Sequence, residues 1–336
     1  MVLYYLSKNY KKFLTNQLTM HPEQIEFNKS RDFSETLTIS FAFIKQNFKG
    51  FFKTILFLVG PLLLINAILS GIYLQNMFDV NSIIAGNRFP SEIFSPIYFL
   101  IIIFSIVANI MLVGIAYEYI ILYEKKGLNN FTINDVWNAF VADLGLIVST
   151  FFFLIGVLIL FGFAFAIISL LLSLLGPVGA VLIGIIFLVT FFLLGPPLVF
   201  LISAIYPIRI RERIGNVAAF TKAYYLTKAN FGSTWLIIFI SYLIVIVLAL
   251  VLAIPAAIFG GMAAMHSVDD ASSMSSLLLT AVNVVSTFGG SLVNSLLFII
   301  IGFHYFSINE KENGDGLLDR INQIGQHNEN NDDITI

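Results

Sequence analysis

The sequence contains no cysteine, and only 11% of its 336 residues are charged. The absence of cysteine excludes disulfides, thiol catalysis, zinc–thiolate sites and iron–sulfur ligation. A net charge of −2 offers no electrostatic basis for binding nucleic acid. No short apolar core with a small-residue cleavage site stands near the start, so we expect the first membrane span to act as an uncleaved signal.

Apolar residues are abundant instead. Hydrophobic residues make up 58% of the chain, 34 residues are Phe, and the mean hydropathy is +0.90. A water-soluble core cannot hide so much apolar surface, whereas lipid-facing helices accept Phe freely. The composition therefore predicts an all-α, polytopic membrane protein.

Six apolar stretches are long enough to cross a bilayer as helices, for which about 20 residues suffice. They lie at residues 51–73, 97–120, 146–173, 178–205, 235–257 and 277–306. The third and fourth belong to one run, Leu144–Ile208, whose 65 residues include no Asp, Glu, Lys, Arg or His. Two long spans or three short ones are alternatives for this run.

The prolines of the run favour two spans. A break at Gly195-Pro196-Pro197 would leave about 11 residues before Arg209, which is too short to cross. We therefore expect the turn at Gly176-Pro177, and a kink at the second proline pair, because proline removes a backbone donor.

Amphipathic stretches precede the first, third and fifth spans. Apolar residues recur every three or four positions in DFSETLTISFAFIKQNFKGFF, and Asp32 with Glu35 forms a possible capping box. FTINDVWNAFVADLG repeats the pattern behind Thr132 and Asp135. A third stripe contains Val217, Phe220, Tyr224 and Phe231. The sequence thus predicts six transmembrane helices as three hairpins, each preceded by a cytosolic amphipathic helix.

Basic residues predict the orientation. Of 18 Lys and Arg, all except Arg88 lie on the side of the two termini, which is a strong positive-inside signal. We expect a cytosolic segment at 1–32, a membrane domain at 33–309 and a partly disordered cytosolic tail at 310–336. Five of these basic residues are candidate lipid-headgroup or partner contacts, although simple anchoring is the alternative: Arg209, Arg211, Arg213, Lys222 and Lys228.

The layout resembles a bacterial family of six-span integral membrane proteins of unknown function. The resemblance rests on NFGSTW before the fifth span and on Ala253-Ile254-Pro255 at its end. Some members of that group are the membrane domain fused to glycerophosphodiester phosphodiesterases. The resemblance implies a multi-pass protein of the bacterial inner membrane, with both termini in the cytosol. It does not imply phosphodiesterase activity.

Few polar side chains lie within the predicted spans: Asn66, Asn109, Glu118, Asn294 and His304. For the amides, hydrogen bonding between helices and a polar substrate path are alternatives. Glu118 fits either an ion pair with Arg209 or Arg211 or a proton relay. Neither the spacing of the histidines nor that of the acids matches a metal site, and we expect no cofactor.

Three functional classes follow from these features. A scaffold or envelope-assembly factor would use its cytosolic helices and tail to gather protein partners, while membrane lipids contact its spans. A transporter of a lipid or another apolar small molecule is the alternative. An intramembrane enzyme would need paired acids, histidines or an activated nucleophile, which the spans lack. The sequence favours the non-enzymatic scaffold.

Overall fold

The computed structural model describes residues 24–77, 95–266 and 273–314, and within these ranges it contains helices and no strand. Arg88 and the tail beyond Gly314 lie outside the described residues. The α-helices are α1 Phe33–Leu58, α2 Gly60–Met77, α3 Pro96–Lys126, α4 Ile133–Ser173, α5 Pro177–Val189, α6 Gly195–Glu212, α7 Asn216–Ala229, α8 Phe231–His266 and α9 Ser273–Asn313. A π-helical turn, Thr190–Leu194, joins α5 to α6.

The helices confirm an all-α polytopic membrane protein. Five stretches are long and apolar enough to cross a bilayer: Pro96–Lys126, Ile133–Ser173, Pro177–Glu212, Phe231–Pro255 and Thr280–Asn313. A sixth span exists if α1 and α2 are taken together, although the pair is bent by 61°. The predicted first span, residues 51–73, crosses this bend and therefore belongs to two helices.

The predicted helix starts are confirmed at two places. The Asp32 carboxylate accepts from the Glu35 amide at 2.7 Å, and Glu35 accepts in return from the Asp32 amide. Thr132 and Asp135 form the equivalent box before α4. However, the second amphipathic stretch is not a separate helix, because α4 continues without a break into the membrane for 41 residues. The third is separate and corresponds to α7.

The long charge-free run contains a single sharp reversal, after α4. Gly176 adopts a φ of +58°, a conformation that glycine reaches without steric cost. One turn later, a Cβ on Gly179 would lie 1.7 Å from the carbonyl oxygen of Leu172, so only glycine allows α4 and α5 to approach so closely. The chain therefore turns where the sequence predicts.

The proline pair has a further consequence that involves Trp235. In a helix, the carbonyl of Phe192 would accept from residue 196 in α geometry or from residue 197 in π geometry, and both residues are proline. The indole Nε1 of Trp235, in α8, donates to this carbonyl at 3.0 Å. An acceptor that its own helix cannot satisfy thus binds a neighbouring helix, as backbone groups in lipid require.

Helices α3, α6 and α9 form the centre of the bundle. We call the end at which these three helices finish, in Lys126, Glu212 and Asn313, the charged end. The largest fully buried side chains concentrate near it and include Tyr117, Tyr123, Phe200, Phe303 and Tyr305. Most of the hydrophobic core therefore lies in this half of the protein.

The opposite half is open around the α4–α5 hairpin. From residue 156 to residue 194 most side chains are exposed, among them Leu160 at 71% and Leu174 at 80%. α5 packs chiefly on α4 and on the π-helical turn. Because lipid tails are as apolar as these side chains, no hydrophobic force drives them into the bundle.

The Trp235 hydrogen bond generates a double-mutant test. Trp235→Phe keeps an aromatic ring against Phe239, whose centroid is 4.8 Å away, but leaves the Phe192 carbonyl without its donor. We expect a loss of about 1 kcal/mol in unfolding free energy. In a Pro196→Ala background, where residue 196 supplies an N–H, the same substitution should cost clearly less. Equal costs in both backgrounds, measured by unfolding in detergent, would contradict this assignment.

Candidate functional site

The charged end contains a polar network centred on Arg209, the first ionisable residue after the charge-free run. Its side chain points inward, and the residue is 9% exposed. Four oxygens lie within 2.9 Å of Nη1, and Nε donates to the Ile214 carbonyl at 3.2 Å. The four belong to the Leu146 carbonyl and to the side chains of Ser149, Thr150 and Asn216. One guanidinium therefore connects α4, the end of α6 and the first residue of α7.

Arg211 connects α6 to α3 and to the segment before α1. It forms an ion pair with Glu124 at 2.8 Å and donates to the side-chain oxygen of Asn28 at 2.9 Å. Its guanidinium also lies 5.1 Å from the ring centroid of Phe306 on α9. These contacts involve all three central helices, so the side chain holds their ends in register.

Glu212, at the end of α6, joins this helix to α7 and α9. One of its carboxylate oxygens accepts from Lys222 on α7 at 2.7 Å and from the Tyr305 hydroxyl on α9 at 2.9 Å. Lys222, a predicted headgroup contact, is therefore engaged within the protein. Lys228, the other predicted lysine of α7, is exposed.

Glu118 does not pair with Arg209 or Arg211, so that predicted ion pair is wrong. Both arginines have other partners, and Glu118 instead lies in hydrogen-bonding contact with Asp143 on α4. Asp143 also pairs with Arg213. Two carboxyl groups can bond to each other only through a proton on one of them. The second oxygen of Glu118, Oε1, is buried and has no hydrogen-bond partner among the described residues.

The segment before α1 is part of the packed unit. The ring of Phe27, 4% exposed, stacks on Phe303 at 4.9 Å. The backbone of Arg31 forms two hydrogen bonds with the Ser307 hydroxyl, at 2.9 and 3.0 Å. The predicted boundary at residue 32 thus divides a region that the structure holds together from residue 25 onwards.

The predicted intramembrane amides have different environments. The Asn66 side chain accepts from the Ser105 hydroxyl at 3.2 Å, which joins α2 to α3. Asn109 donates to the Ser105 carbonyl of its own helix at 2.8 Å, and Asn294 is exposed. The buried His304 contacts the Thr234 hydroxyl through Nε2 at 2.9 Å. Hydrogen bonding between helices thus accounts for Asn66 and for Nε2 of His304, whose Nδ1 is buried without a partner among the described residues.

A cleft of about 260 Å³ lies between α3, α4, α6 and α9. Its walls are mainly apolar, with Phe151 and Phe298 among them, and its polar lining includes Asn109, Ser203 and Tyr206. The Tyr117 ring stacks on Tyr206 with centroids 6.4 Å apart. The predicted intramembrane residue Asn109 is thus part of the lining of this cleft.

Several members of the network were not identified from the sequence, namely Glu124, Asp143, Thr150, Glu212 and Asn216. A sequence signal for some of them exists. Each central helix ends with a glutamate followed by a basic residue, at Glu124-Lys125, Glu212-Arg213 and Glu310-Lys311. The recurrence of this pair marks the charged end, but it does not reveal which residues bind each other.

Comparisons of the chain with protein-family models, with curated proteins and with solved structures gave no match. The resemblance to a bacterial six-span family therefore stays a prediction.

Two glutamates on α3 provide a contrasting pair of substitutions. Glu118→Gln gives Asp143 a neutral amide donor in place of a second carboxyl, so we expect unchanged or higher stability at neutral pH. Glu124→Gln removes the charge that Arg211 binds, and should lower the unfolding free energy by about 1–3 kcal/mol. The measurement is denaturant unfolding of the two purified variants. The reverse order of stabilities would show that Glu118 has a cationic partner after all.

Proposed function

We propose that the protein is a non-enzymatic scaffold of the bacterial cell membrane, with both termini in the cytosol and with protein partners at its charged end. The orientation is supported by the distribution of Lys and Arg, because all except one lie on the side of the termini. The scaffold role is supported chiefly by one observation, the way in which α7 is held on the bundle.

Helix α7 has one buried face and one uncovered face. Ala219, Ala223 and Leu226 are buried against the rest of the protein. On the outside, Val217 is 69% exposed and Tyr225 64% exposed. Tyrosine is enriched in protein interfaces because a large, rigid ring with a hydroxyl contributes area at low entropic cost.

The polar network fixes the position of this helix. Arg209 binds Asn216 at the start of α7, and Glu212 binds Lys222 in its middle. Both charged groups are thus used for architecture, and the outer face of α7 is presented on a rigid support. A preorganised surface of this kind suits partner binding, because less side-chain and backbone order is lost on association.

A second candidate function, transport of a lipid or another apolar molecule, is favoured by the cleft between α3, α4, α6 and α9. Its few polar groups within an apolar lining suit an amphipathic molecule. The volume of about 260 Å³ is small for a whole lipid, so transport would require the cleft to widen.

The scaffold is tested by site-specific photo-crosslinking in native membranes. A photo-reactive residue in place of Tyr225 should give one discrete protein adduct, which Lys228→Glu weakens by reversing a neighbouring charge. The same residue in place of Leu160, on the exposed α4–α5 hairpin, is the matched control and should give no protein adduct.

The transport alternative is tested with the purified protein in vesicles that carry a fluorescent phospholipid. If the protein is a scaffold, we expect no protein-dependent movement of the lipid between leaflets. Ser203→Trp fills the cleft and should abolish lipid movement if the cleft is the transport path. Lipid movement that this substitution abolishes, together with no adduct at Tyr225, would contradict the scaffold hypothesis and support transport.

A further inference from the structure

Helix α1 has a row of lysines that form no ion pair with any described residue. Lys45, Lys49 and Lys53 follow each other at four-residue intervals, and all three are exposed. Side chains four residues apart lie on the same face of a helix, where like charges destabilise it. In the described part of the chain, the ion pairs involve other basic residues. The row therefore concentrates positive charge that no carboxylate of the described residues neutralises.

Aromatic side chains accompany this lysine row on the outside of α1. Phe48 is 55% exposed and Phe57 70% exposed, and the rings of Phe48 and Phe52 lie 4.7 Å apart. The opposite face, with Phe43 and Phe51, is buried in the bundle. A helix that shows both lysines and large apolar side chains to its surroundings is typical of the membrane interface.

The lysine row ends at a cavity. Its volume is about 410 Å³, and among the described residues that line it Lys53 alone carries a full charge. The wall also contains the side chains of Tyr119, Asn129, Phe131 and Asn134. The cavity thus has a positive charge at Lys53 and aromatic rings at Tyr119 and Phe131. This lining matches a ligand with an anionic head and an apolar body.

The start of α4 borders the cavity but does not supply its charge. The Asp135 carboxylate accepts from the Thr132 amide at 2.7 Å and from Lys126 at 3.2 Å. The first residue of this helix terminus and the Lys126 ammonium are therefore already bound by the Asp135 side chain. Lys53 is left as the cation that faces the cavity.

We propose that this cavity binds the headgroup of an anionic phospholipid. The Lys53 ammonium contacts the phosphate, Asn129 and Asn134 supply amide donors, and the acyl chains run outward along the phenylalanines of α1. A membrane lipid fits better than a free anion, because α1 leads through the 61° bend into the apolar helix α2. α2 has no charged residue, so the last charge before it, Lys53, lies at headgroup level. The proposal does not depend on the scaffold function.

The test uses the purified full-length protein and short-chain lipids. Binding of dioctanoyl phosphatidylglycerol is compared with that of dioctanoyl phosphatidylcholine and of inorganic phosphate. We expect phosphatidylglycerol to bind best, and Lys53→Gln to weaken it about fivefold at low salt, which corresponds to one lysine at a lipid surface. Lys29→Gln removes an exposed lysine from the segment before α1 and should leave the affinity unchanged.

A second variant separates the cavity from general surface charge. Asn134→Trp keeps every charge but fills the cavity from an exposed position, and it should also weaken binding of phosphatidylglycerol. Equal weakening by Lys53→Gln and Lys29→Gln would overturn the proposal, as would equal affinity for the two lipids. Full competition by millimolar inorganic phosphate would show a free-anion site instead. If Asn134→Trp fails to fold, the comparison of the two lysine variants still decides.

Discussion

The structure depends on how a buried cation is satisfied at the end of a long apolar run. Arg209 follows 65 residues without Asp, Glu, Lys, Arg or His, and it points into the bundle. A guanidinium that leaves water needs several oxygen partners to offset its lost hydration. Ser149, Thr150 and a carbonyl of α4 provide some of them, and Asn216 with the Ile214 carbonyl provides the others. This requirement sets the register of α4 against α6 and the starting point of α7.

The other contacts of the charged end build on that register. Once α6 is placed, Arg211 can reach Glu124 on α3, and Glu212 can reach Tyr305 on α9. These directional bonds are important in a membrane, because lipid tails compete equally with apolar side chains for helix surfaces. The α4–α5 hairpin has few such bonds beyond the charged end, and it projects largely uncovered from the bundle. Polar contacts at one end therefore determine which helices meet.

Local features of the fold were predictable from the sequence. Capping boxes involve residues three apart, and spans of apolar residues are read directly from composition, so Asp32, Thr132 and the turn at Gly176 were identified correctly. The bend between α1 and α2 was not predicted, because Val59 and Gly60 stand within continuous apolar sequence. The continuity of α4 was also missed, since the change from amphipathic to fully apolar character does not by itself end a helix.

The candidate site was harder to predict because its contacts join residues that are distant in sequence. Arg209 and Thr150 are 59 positions apart, and Arg211 and Asn28 are 183 apart. The sequence indicated that the arginines lie at the membrane boundary, but several of their partners are hydroxyls, amides and carbonyls that resemble many others in the chain. The expected pair between Glu118 and an arginine failed for this reason. The lysine row of α1, by contrast, is visible in the sequence, because its members are four residues apart on one helix.

The central claim is that the inward guanidinium of Arg209 holds α4, α6 and α7 together. The most direct measurement is the unfolding free energy of Arg209→Lys compared with that of Arg213→Lys. Lysine keeps the charge but lacks the planar fork, so we expect Arg209→Lys to lose about 2–4 kcal/mol. Arg213 has a side chain that is 60% exposed, and its replacement should cost less than about 1 kcal/mol. Equal costs for the two substitutions, or a wild-type stability for Arg209→Lys, would contradict the claim.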